Sequence, residues 1–361
     1  MRRVVFNGKF LAGGMNGVHR VAARLLREVD ALLVERPGGD DPSCTLIVPR
    51  GCAGRIALDS VAVVEDDRPA GQAWEQLRLP RLAAGSLLVN LANLAPIAHR
   101  PKLTMLHDAQ FCRADSSYPW RQRMGYRLLT PLMARSSARV LTVSGYSRDD
   151  LAMRGVVGRG GAQVLYNGAD HVLEVPADDA ALARLGLNPR GYALMFGSGK
   201  AYKNNHVVFD AFAGGALAPL RLVIVGPDRA ALEKAGLSPP ADTVFAGPCD
   251  DAALRALYEG AHALLFPSRT EGFGLPPVEA MLCGCPAIVA PCGAMPEVCG
   301  DAALTAGPDD PAAWRSSIAA LKISGLRAKM VAAGFARAKR YTWAAAGRTL
   351  LGHLRELARA A

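Results

Sequence analysis

Short apolar runs alternate with amphipathic stretches along the chain. The runs are typical of strands buried on both faces, and the stretches between them carry apolar residues at helical spacing. Strands are predicted at residues 4–6, 45–48, 86–90, 103–106 and 140–143, and again at 192–196, 222–225, 243–245, 263–266 and 287–289. Helices are predicted at residues 18–33, 121–135, 147–153, 205–212, 250–258, 277–282, 311–321 and 341–361, with Ser147 as an N-cap because Asp150 follows it three residues later. This alternation predicts an α/β fold with mostly parallel sheets.

A break in the pattern at residues 167–190 separates the two series of strands. This segment is polar and contains Gly168, Pro176 and Pro189. We therefore predict an N-terminal Rossmann-like domain over residues 1–170, a second over 171–340, and a final helix over 341–361. Two doubly wound domains in tandem predict a ligand in a cleft between them, at the carboxyl ends of the strands.

Length and composition agree with two folded domains. The chain has 361 residues, half of them apolar, which excludes disorder as the main state. No apolar stretch reaches the ~18–20 residues of a membrane span, and the basic start is too short in apolar residues for a signal peptide, so we expect a cytoplasmic protein. The eight cysteines include no Cys-x-x-Cys pair, and we expect reduced, mostly buried thiols.

Positive charge is concentrated in the first half of the chain. The formal net charge is +10; residues 1–170 carry 23 Lys and Arg against 15 Asp and Glu, whereas residues 171–361 carry 19 against 17. Seven arginines lie between Arg113 and Arg148, with Asp115 as the one acid among them. This surface suits an anionic acceptor or an acidic membrane face, although arginine can equally serve only to solvate helices.

The segment from Phe266 to Pro286 carries the most informative pattern. A predicted strand ends at Phe266, a glycine-rich loop follows, and a helix is expected to open at Pro276 and Pro277. Backbone amides beside a helix N-terminus form an anion site. Glu271 on the loop and Glu279, expected in the first helical turn, could both face one ligand and bind its hydroxyl groups.

This segment resembles the Glu-x7-Glu signature of the retaining glycosyltransferases of family four, which have the two-domain GT-B fold. Further motifs of the family are matched along the chain: Gly13-Gly14 with Gly17-Val18-His19-Arg20, Val143-Ser144-Gly145-Tyr146-Ser147, Tyr166-Asn167-Gly168-Ala169-Asp170, the loop 197–205, and Gly247-Pro248 with Leu257-Tyr258. Two motifs resemble those of the branch related to bacterial mannosyltransferases: Trp74-Glu75-Gln76-Leu77-Arg78-Leu79-Pro80 and His107-Asp108. The resemblance implies that the N-terminal domain, residues 1–170, binds the acceptor and that the C-terminal domain, residues 171–340, binds the nucleotide-sugar. The last helix, residues 341–361, resembles the one that crosses back to the N-terminal domain.

The resemblance implies a role for individual residues. His107, Lys203 and Glu271 are implied in catalysis, with Lys203 next to the departing diphosphate. Tyr202 stands where many members have an arginine, which leaves Lys200 as the other nearby cation. The implied donor-binding residues are Gly14, Gly17, Ser198, Gly199, Lys200, Lys203, Pro248, Gly272, Phe273, Gly274, Leu275 and Glu279. Arg113, Arg121 and Arg123 are candidates for holding an acceptor, or for a solvated face.

These observations predict a retaining transferase that moves a hexose, with mannose from GDP-mannose favoured, onto a glycan or lipid-linked saccharide in polysaccharide biosynthesis. The donor is a nucleotide-diphosphate sugar, and no further cofactor is expected. No Asp-x-Asp occurs in the chain, so we expect no essential metal. Nucleic acid is not an expected partner, whereas the cytoplasmic face of the inner membrane is. A nucleotide-sugar 2-epimerase-like enzyme and a non-catalytic protein that binds anionic ligands remain as alternatives.

Overall fold

The computed structural model describes residues 3–14, 16–35, 41–113, 119–323 and 325–360. It divides into two units. Unit 1 consists of residues 1–167 and 343–361, and unit 2 of residues 168–342. The chain thus enters unit 2 once and returns to unit 1 for its last helix.

Unit 1 contains a seven-stranded parallel sheet. Its strands are β1 (Val4–Asn7), β2 (Cys44–Val48), β3 (Ala62–Glu65), β4 (Leu87–Asn90), β5 (Lys102–Met105), β6 (Arg139–Thr142) and β7 (Ala162–Val164). Their order is β3-β2-β1-β4-β5-β6-β7. The helices are α1 (Gly17–Glu35), α2 (Leu79–Leu82, preceded by a π-helical turn at Trp74–Arg78), α3 (Trp120–Arg135) and α4 (Gly145–Met153). Short 3₁₀ turns lie at Gly8–Ala12, Ala53–Arg55 and Gln110–Cys112.

Unit 2 repeats this architecture with six parallel strands. They are β8 (Tyr192–Phe196), β9 (Arg221–Val225), β10 (Val244–Gly247), β11 (Ala263–Phe266), β12 (Ala287–Val289) and β13 (Leu304–Thr305), in the order β10-β9-β8-β11-β12-β13. The helices are α5 (Ala181–Arg184), α6 (Asn205–Phe212), α7 (Arg229–Lys234), α8 (Asp251–Gly260), α9 (Leu275–Leu282), α10 (Met295–Cys299), α11 (Pro311–Ala320) and α12 (Leu326–Ala338). Short 3₁₀ turns lie at Asp170–Leu173, Ala201–Lys203, Ala213–Gly215 and Gly300–Ala302. The last helix, α13 (Trp343–Arg359), packs against α1 in unit 1.

Alternate residues of each central strand enter different cores, as a sheet covered on both faces requires. In β8, Ala193 and Met195 pack into a core that contains the fully buried Trp314, whereas Tyr192 and Leu194 pack with Tyr258 in a second core. Strand β9 divides its side chains between the same two cores. Both faces of the sheet are therefore apolar, which explains the uninterrupted apolar runs in the sequence.

The predicted fold class is confirmed: both units are doubly wound, Rossmann-like α/β sheets. The missed strands lie at sheet edges or beside them. The edge strand β3 is mostly exposed, β7 has three residues, and β13 has two, so none shows a buried apolar run. Edge strands pair on one side and need fewer apolar residues.

Several helix starts differ from the prediction by one or two residues, and two of these differences bear on the site. Ser144, in extended conformation, is the N-cap of α4 and its side chain accepts a hydrogen bond from the Ser147 amide; Ser147 lies inside the helix, where its hydroxyl donates to the His107 carbonyl (3.0 Å). Helix α9 begins at Leu275 rather than at Pro277 because left-handed Gly274 precedes it. Glu279 consequently lies in the second turn of α9 and not in the first.

Candidate functional site

A cavity lies at the carboxyl ends of β8 and β11 in unit 2. These neighbouring strands form the switch point of the sheet, since β9 and β10 follow on one side and β12 and β13 on the other. Open α/β sheets bind ligands at this point because the two loops diverge there. The cavity has a volume of about 210 Å³ and is lined by Phe196, Gly197, Ser198, Lys200, Lys203, Leu265, Phe266, Pro267, Ser268 and Pro276.

Asn204 helps to hold the loop after β8 to the loop after β11, together with a backbone hydrogen bond from the Arg269 amide to the Tyr202 carbonyl (2.8 Å). Asn204 adopts a left-handed conformation (φ 58°), which asparagine tolerates better than most residues. Its side-chain amide donates to the carbonyls of Pro267 (3.2 Å) and Pro308 (2.7 Å). The preceding residue, Lys203, is thereby fixed at the cavity.

Lys203 pairs with Glu271, the first glutamate of the predicted signature. The Nζ–Oε1 distance is 2.6 Å, and both side chains are partly buried. The ammonium group also lies 5.4 Å from the centre of the Tyr202 ring and 5.6 Å from that of Phe266. A carboxylate and two aromatic faces together orient one positive charge beside the cavity.

Two glycines allow the loop after β11 to pass close to its neighbours. Gly274 has φ 89°, and a Cβ there would lie 2.2 Å from Cε of Met295. Gly293 has φ 61°, and a Cβ there would lie 2.6 Å from the Glu271 amide nitrogen. A larger side chain at Gly293 would displace the backbone that carries Glu271, whereas one at Gly274 would be strained in φ and would displace the Met295 side chain.

The amide donors of this site differ from those expected at a helix start. Pro276 and Pro277 occupy the first turn of α9 and have no N–H. The amides of Gly274 and Leu275 make no hydrogen bond to any residue that the structure describes. The donors available to an anion are therefore the amides of Gly274 and Leu275, which directly precede the two prolines.

Glu279 is held apart from Glu271 by its own partners. It is almost fully buried, accepts a hydrogen bond from the Tyr258 hydroxyl (3.0 Å), and lies 3.2 Å from Nε2 of His171. Burial, followed by the neighbouring Glu279 charge, raises the pKa of Tyr258 well above its usual range, so this hydroxyl remains a donor. Neither glutamate is among the residues that line the cavity described above, and a shared ligand for both remains a prediction.

Sequence reasoning did not assign His171 and Tyr258 to the site. Tyr258 is part of one motif of the resemblance, but no role follows for it from that motif. His171 lies directly after Asp170, the last residue of another motif, and is outside the resemblance. A buried tyrosine or histidine in an apolar stretch gives no signal of its carboxylate partner, because that pairing depends on which helices pack together.

The remaining donor-binding candidates of unit 2 have different surroundings. The amide of Lys200 donates to the Ser198 hydroxyl (3.2 Å), and a Cβ at Gly199 would lie 2.7 Å from Ala235. Phe273 is buried edge-on against Tyr341, with ring centres 5.3 Å apart, and Pro248 is exposed directly after β10. Phe273 could therefore contact a ligand only through its backbone. Gly272 lies between it and Glu271.

In unit 1, His107 is a buried, neutral imidazole. Nε2 lies 2.8 Å from the Leu91 carbonyl, which only accepts, so Nε2 carries the proton and Nδ1 is an acceptor. Burial lowers the pKa of His107 to about 4. Asp108 accepts from the Gln110 amide (3.0 Å) at the start of a 3₁₀ turn.

The other candidates of unit 1 are glycines and arginines. Gly17 begins α1, and a Cβ at Gly14 or Gly17 would meet nothing within 4 Å. Arg113 contacts Asp150 (3.9 Å) and the Tyr146 hydroxyl (3.3 Å), whereas Arg121 is exposed beside the Trp120 ring. Arg123 donates to the Arg113 carbonyl (3.5 Å), and Asp115 lies outside the described residues.

The eight cysteines are unpaired, and burial raises the pKa of Cys283 and Cys299 to about 12. Among the residues that the structure describes, no group of three or more His, Cys, Asp and Glu side chains could hold a metal ion. No helix in the same ranges is long and apolar enough to cross a bilayer.

Comparison with known families identifies unit 2. Residues 181–337 match the family model for glycosyl transferases group 1. The match covers most of unit 2 and somewhat less than half of the chain. The match includes the cavity, Lys203 and both glutamates, and it agrees with the resemblance of the whole chain to family-four, mannosyltransferase-like enzymes.

Individual relatives are similar over longer stretches. The chain is 29% identical over 261 residues to O-antigen chain mannosyltransferase B of Escherichia coli, covering 67% of this chain and 66% of that protein. It is 30% identical over 213 residues to D-inositol 3-phosphate glycosyltransferase of Acidothermus cellulolyticus, covering 54% of this chain and 48% of that one. The match thus spans just under two thirds of the first relative's length and about half of the second relative's length.

The fold matches solved glycosyltransferase structures. The Anabaena protein HepE, solved in complex with UDP and glucose, superimposes with a TM-score of 0.73 at 18% identity, covering 99% of this chain and all of that one.

Proposed function

We propose that the chain is a retaining glycosyltransferase that moves a hexose from a nucleotide-diphosphate sugar to a hydroxyl group of a saccharide. The observation that carries this proposal is the Lys203–Glu271 pair beside the cavity at the switch point of unit 2. A single oriented ammonium group suits a group that gains negative charge as its bond breaks, as a departing diphosphate does.

The donor is assigned to the elements of unit 2. Lys203, Lys200 and Ser198 lie around the cavity and suit the phosphates, with the amides of Gly274 and Leu275 as further donors. Glu271 and Glu279 suit hydroxyl groups, because each carboxylate oxygen can accept more than one hydrogen bond. Tyr258 and His171 would keep the Glu279 carboxylate in place. These side chains and amides supply the charge neutralisation, so we propose a metal-independent reaction.

Same-face attack, with a phosphate oxygen of the donor as proton acceptor, accounts for retention without a protein nucleophile. The acceptor hydroxyl forms the new glycosidic bond as the bond to the diphosphate breaks. His107 of unit 1 is assigned a contact to a sugar hydroxyl. Its neutral ring can accept that hydrogen bond at Nδ1 without adding charge.

Mannose from GDP-mannose is the proposed hexose, because two of the relatives are named as O-antigen chain mannosyltransferases. Their names support a glycan or lipid-linked saccharide as acceptor. The inositol-phosphate relatives support a phosphorylated acceptor instead. The two acceptor classes differ in charge.

Helix α3 supports a peripheral contact with an acidic membrane. Trp120 and Leu128 are 68% and 65% exposed, and Met124 and Leu132 extend the same apolar stripe at helical spacing. Arg121, Arg127 and Arg135 flank the stripe, and α3 contains no acidic residue. An exposed apolar face with only positive charges around it is complementary to anionic lipid at a bilayer surface.

Vesicle sedimentation tests this contact. The double variant Trp120→Ser/Leu128→Ser should lose binding to vesicles containing phosphatidylglycerol, and binding of the wild-type protein should fall in 0.5 M salt. Met153→Ser, which changes an exposed residue of α4 in the same unit, is the matched control. Equal binding of the double variant and the control would refute the assignment of α3.

A donor panel tests the proposed activity. Thermal unfolding is measured with GDP, UDP and dTDP and with their sugars, in the presence of EDTA. At least one nucleotide should raise the midpoint of thermal unfolding. The corresponding nucleotide-sugar should be consumed when a saccharide acceptor is added, and the new glycosidic bond should have the same anomeric configuration as the donor. No stabilisation by any nucleotide would count against the proposal.

A further inference from the structure

Three polar residues that line the cavity of unit 2 belong to the loop after β8, and a buried asparagine follows this loop. The lining residues are Ser198, Lys200 and Lys203. Asn205, the first residue of α6, is 2% exposed and is not among the lining residues. A buried side-chain amide costs free energy unless it is hydrogen-bonded, so the partners of Asn205 indicate what the residue does.

Asn205 connects the beginning of the loop to its end. In the orientation that pairs both ends of its side-chain amide, Oδ1 accepts a hydrogen bond from the Ser198 amide (2.8 Å) and Nδ2 donates to the Lys203 carbonyl (3.2 Å). The opposite orientation would leave a longer contact to the Phe196 carbonyl (3.4 Å) and would turn like groups towards each other. The Lys203 amide donates to the Lys200 carbonyl (3.0 Å), so the peptide groups on both sides of Lys203 are held.

Close packing holds the first part of the same loop. A Cβ added at Gly197 or at Gly199 would lie within 2.7 Å of a neighbouring side chain. The backbone at these two glycines therefore has little room to shift, since the interior of a protein is densely packed. Because Asn205 joins Ser198, between the two glycines, to the Lys203 carbonyl, the same packing limits the position of Lys203.

We propose that Asn205 is a positioning residue of the transferase, which holds the loop in the form that presents Lys203 to the departing diphosphate. This inference rests on the proposed function, in which the Lys203 ammonium group neutralises the leaving group. Glu271 orients the ammonium group and Asn205 holds the backbone, so the two ends of the lysine are held by different partners. A displacement of about 1 Å at a reacting centre can cost about 10² in rate, so the backbone position of Lys203 matters for kcat.

A double-mutant cycle on the full chain tests the inference, with nucleotide release from GDP-mannose and from UDP-glucose as the assay. Asn205→Leu removes both hydrogen bonds at nearly constant volume, and it is combined with Lys203→Met. Asn205→Asp is a second variant that should fold, because a carboxylate is favourable in the first turn of a helix and keeps the acceptor for the Ser198 amide. Val208→Ala, which loses core packing in the same helix, is the matched control for lost stability. The unfolding midpoint is recorded for every variant.

Asn205→Leu should lower kcat about tenfold or more, and Asn205→Asp should also lower it, because both lose the donor to the Lys203 carbonyl. In the Lys203→Met background, Asn205→Leu should change kcat less than about threefold, since no ammonium group is left to misplace. The midpoint should fall by the same amount in both backgrounds. Val208→Ala should lower the midpoint and leave kcat within about threefold of wild type, because it does not touch the loop.

Equal losses of kcat for Asn205→Leu in the wild-type and Lys203→Met backgrounds would overturn the inference, because Asn205 would then not act through Lys203. A wild-type kcat in Asn205→Asp would also overturn it, and this variant decides alone if Asn205→Leu does not fold. A wild-type protein that releases no nucleotide from either donor and is not stabilised by GDP or UDP would instead refute the proposed function.

Discussion

Replacing Lys203 with methionine removes the charge assigned to the leaving group while keeping most of the side-chain volume. Lys203 has one carboxylate partner, at 2.6 Å, and both side chains of the pair remain partly accessible. Partly exposed ion pairs contribute only about 0.2–1 kcal/mol to stability, so the variant should fold. One oriented group that stabilises developing charge is worth about 10²–10³ in kcat.

The assay compares kcat for nucleotide release in Lys203→Met, Glu271→Gln and the double variant. We expect Lys203→Met to lower kcat by about 10²–10³ with a small change in the unfolding midpoint. Because the two side chains touch, their effects should not be additive. Lys234→Met, at the exposed end of α7, is the control. A kcat for Lys203→Met within threefold of wild type would refute the assigned role.

Three further predictions concern burial, pH and metal. Tyr258→Phe should lower the free energy of unfolding by about 1–2 kcal/mol and weaken nucleotide binding, because the buried Glu279 loses a donor; denaturation and calorimetry measure both. The pKa of His107 is about 4 in the folded protein, below the value of about 6.5 in the unfolded chain. As pH falls from about 6.5 to 4, His107 is therefore protonated in the unfolded chain but still neutral in the folded protein. Wild-type stability should therefore fall by up to about 1.4 kcal/mol per pH unit more than that of His107→Gln in denaturant titrations. Turnover should persist in excess EDTA, and its loss with recovery on adding Mg²⁺ would contradict the metal-independent proposal.

The central strands were predictable because burial on both faces leaves a continuous apolar run. Residues Tyr192–Phe196, Ala263–Phe266 and Ala287–Val289 were predicted with the bounds they have in the structure. Strand β3 at Ala62–Glu65 was not, because its side chains are mostly exposed and only its pairing with β2 makes it a strand. That pairing is a long-range property that local patterning does not contain.

Within the site, sequence order predicted which loops carry the chemistry but not how the side chains pair. Lys203 and Glu271 are 68 positions apart and meet because β8 and β11 are neighbours in the sheet. Glu279 is eight positions from Glu271, yet it contacts Tyr258 on α8 and His171 in the 3₁₀ turn at Asp170–Leu173, which local sequence does not reveal.

The most direct test of the account is a crystal structure of the protein with GDP or UDP bound, whichever gives the larger thermal shift. The account predicts the diphosphate within hydrogen-bonding distance of Lys203 Nζ and of the amides of Gly274 or Leu275, at the carboxyl ends of β8 and β11. A nucleotide bound elsewhere, with the Lys203–Glu271 pair untouched and these amides empty, would contradict it.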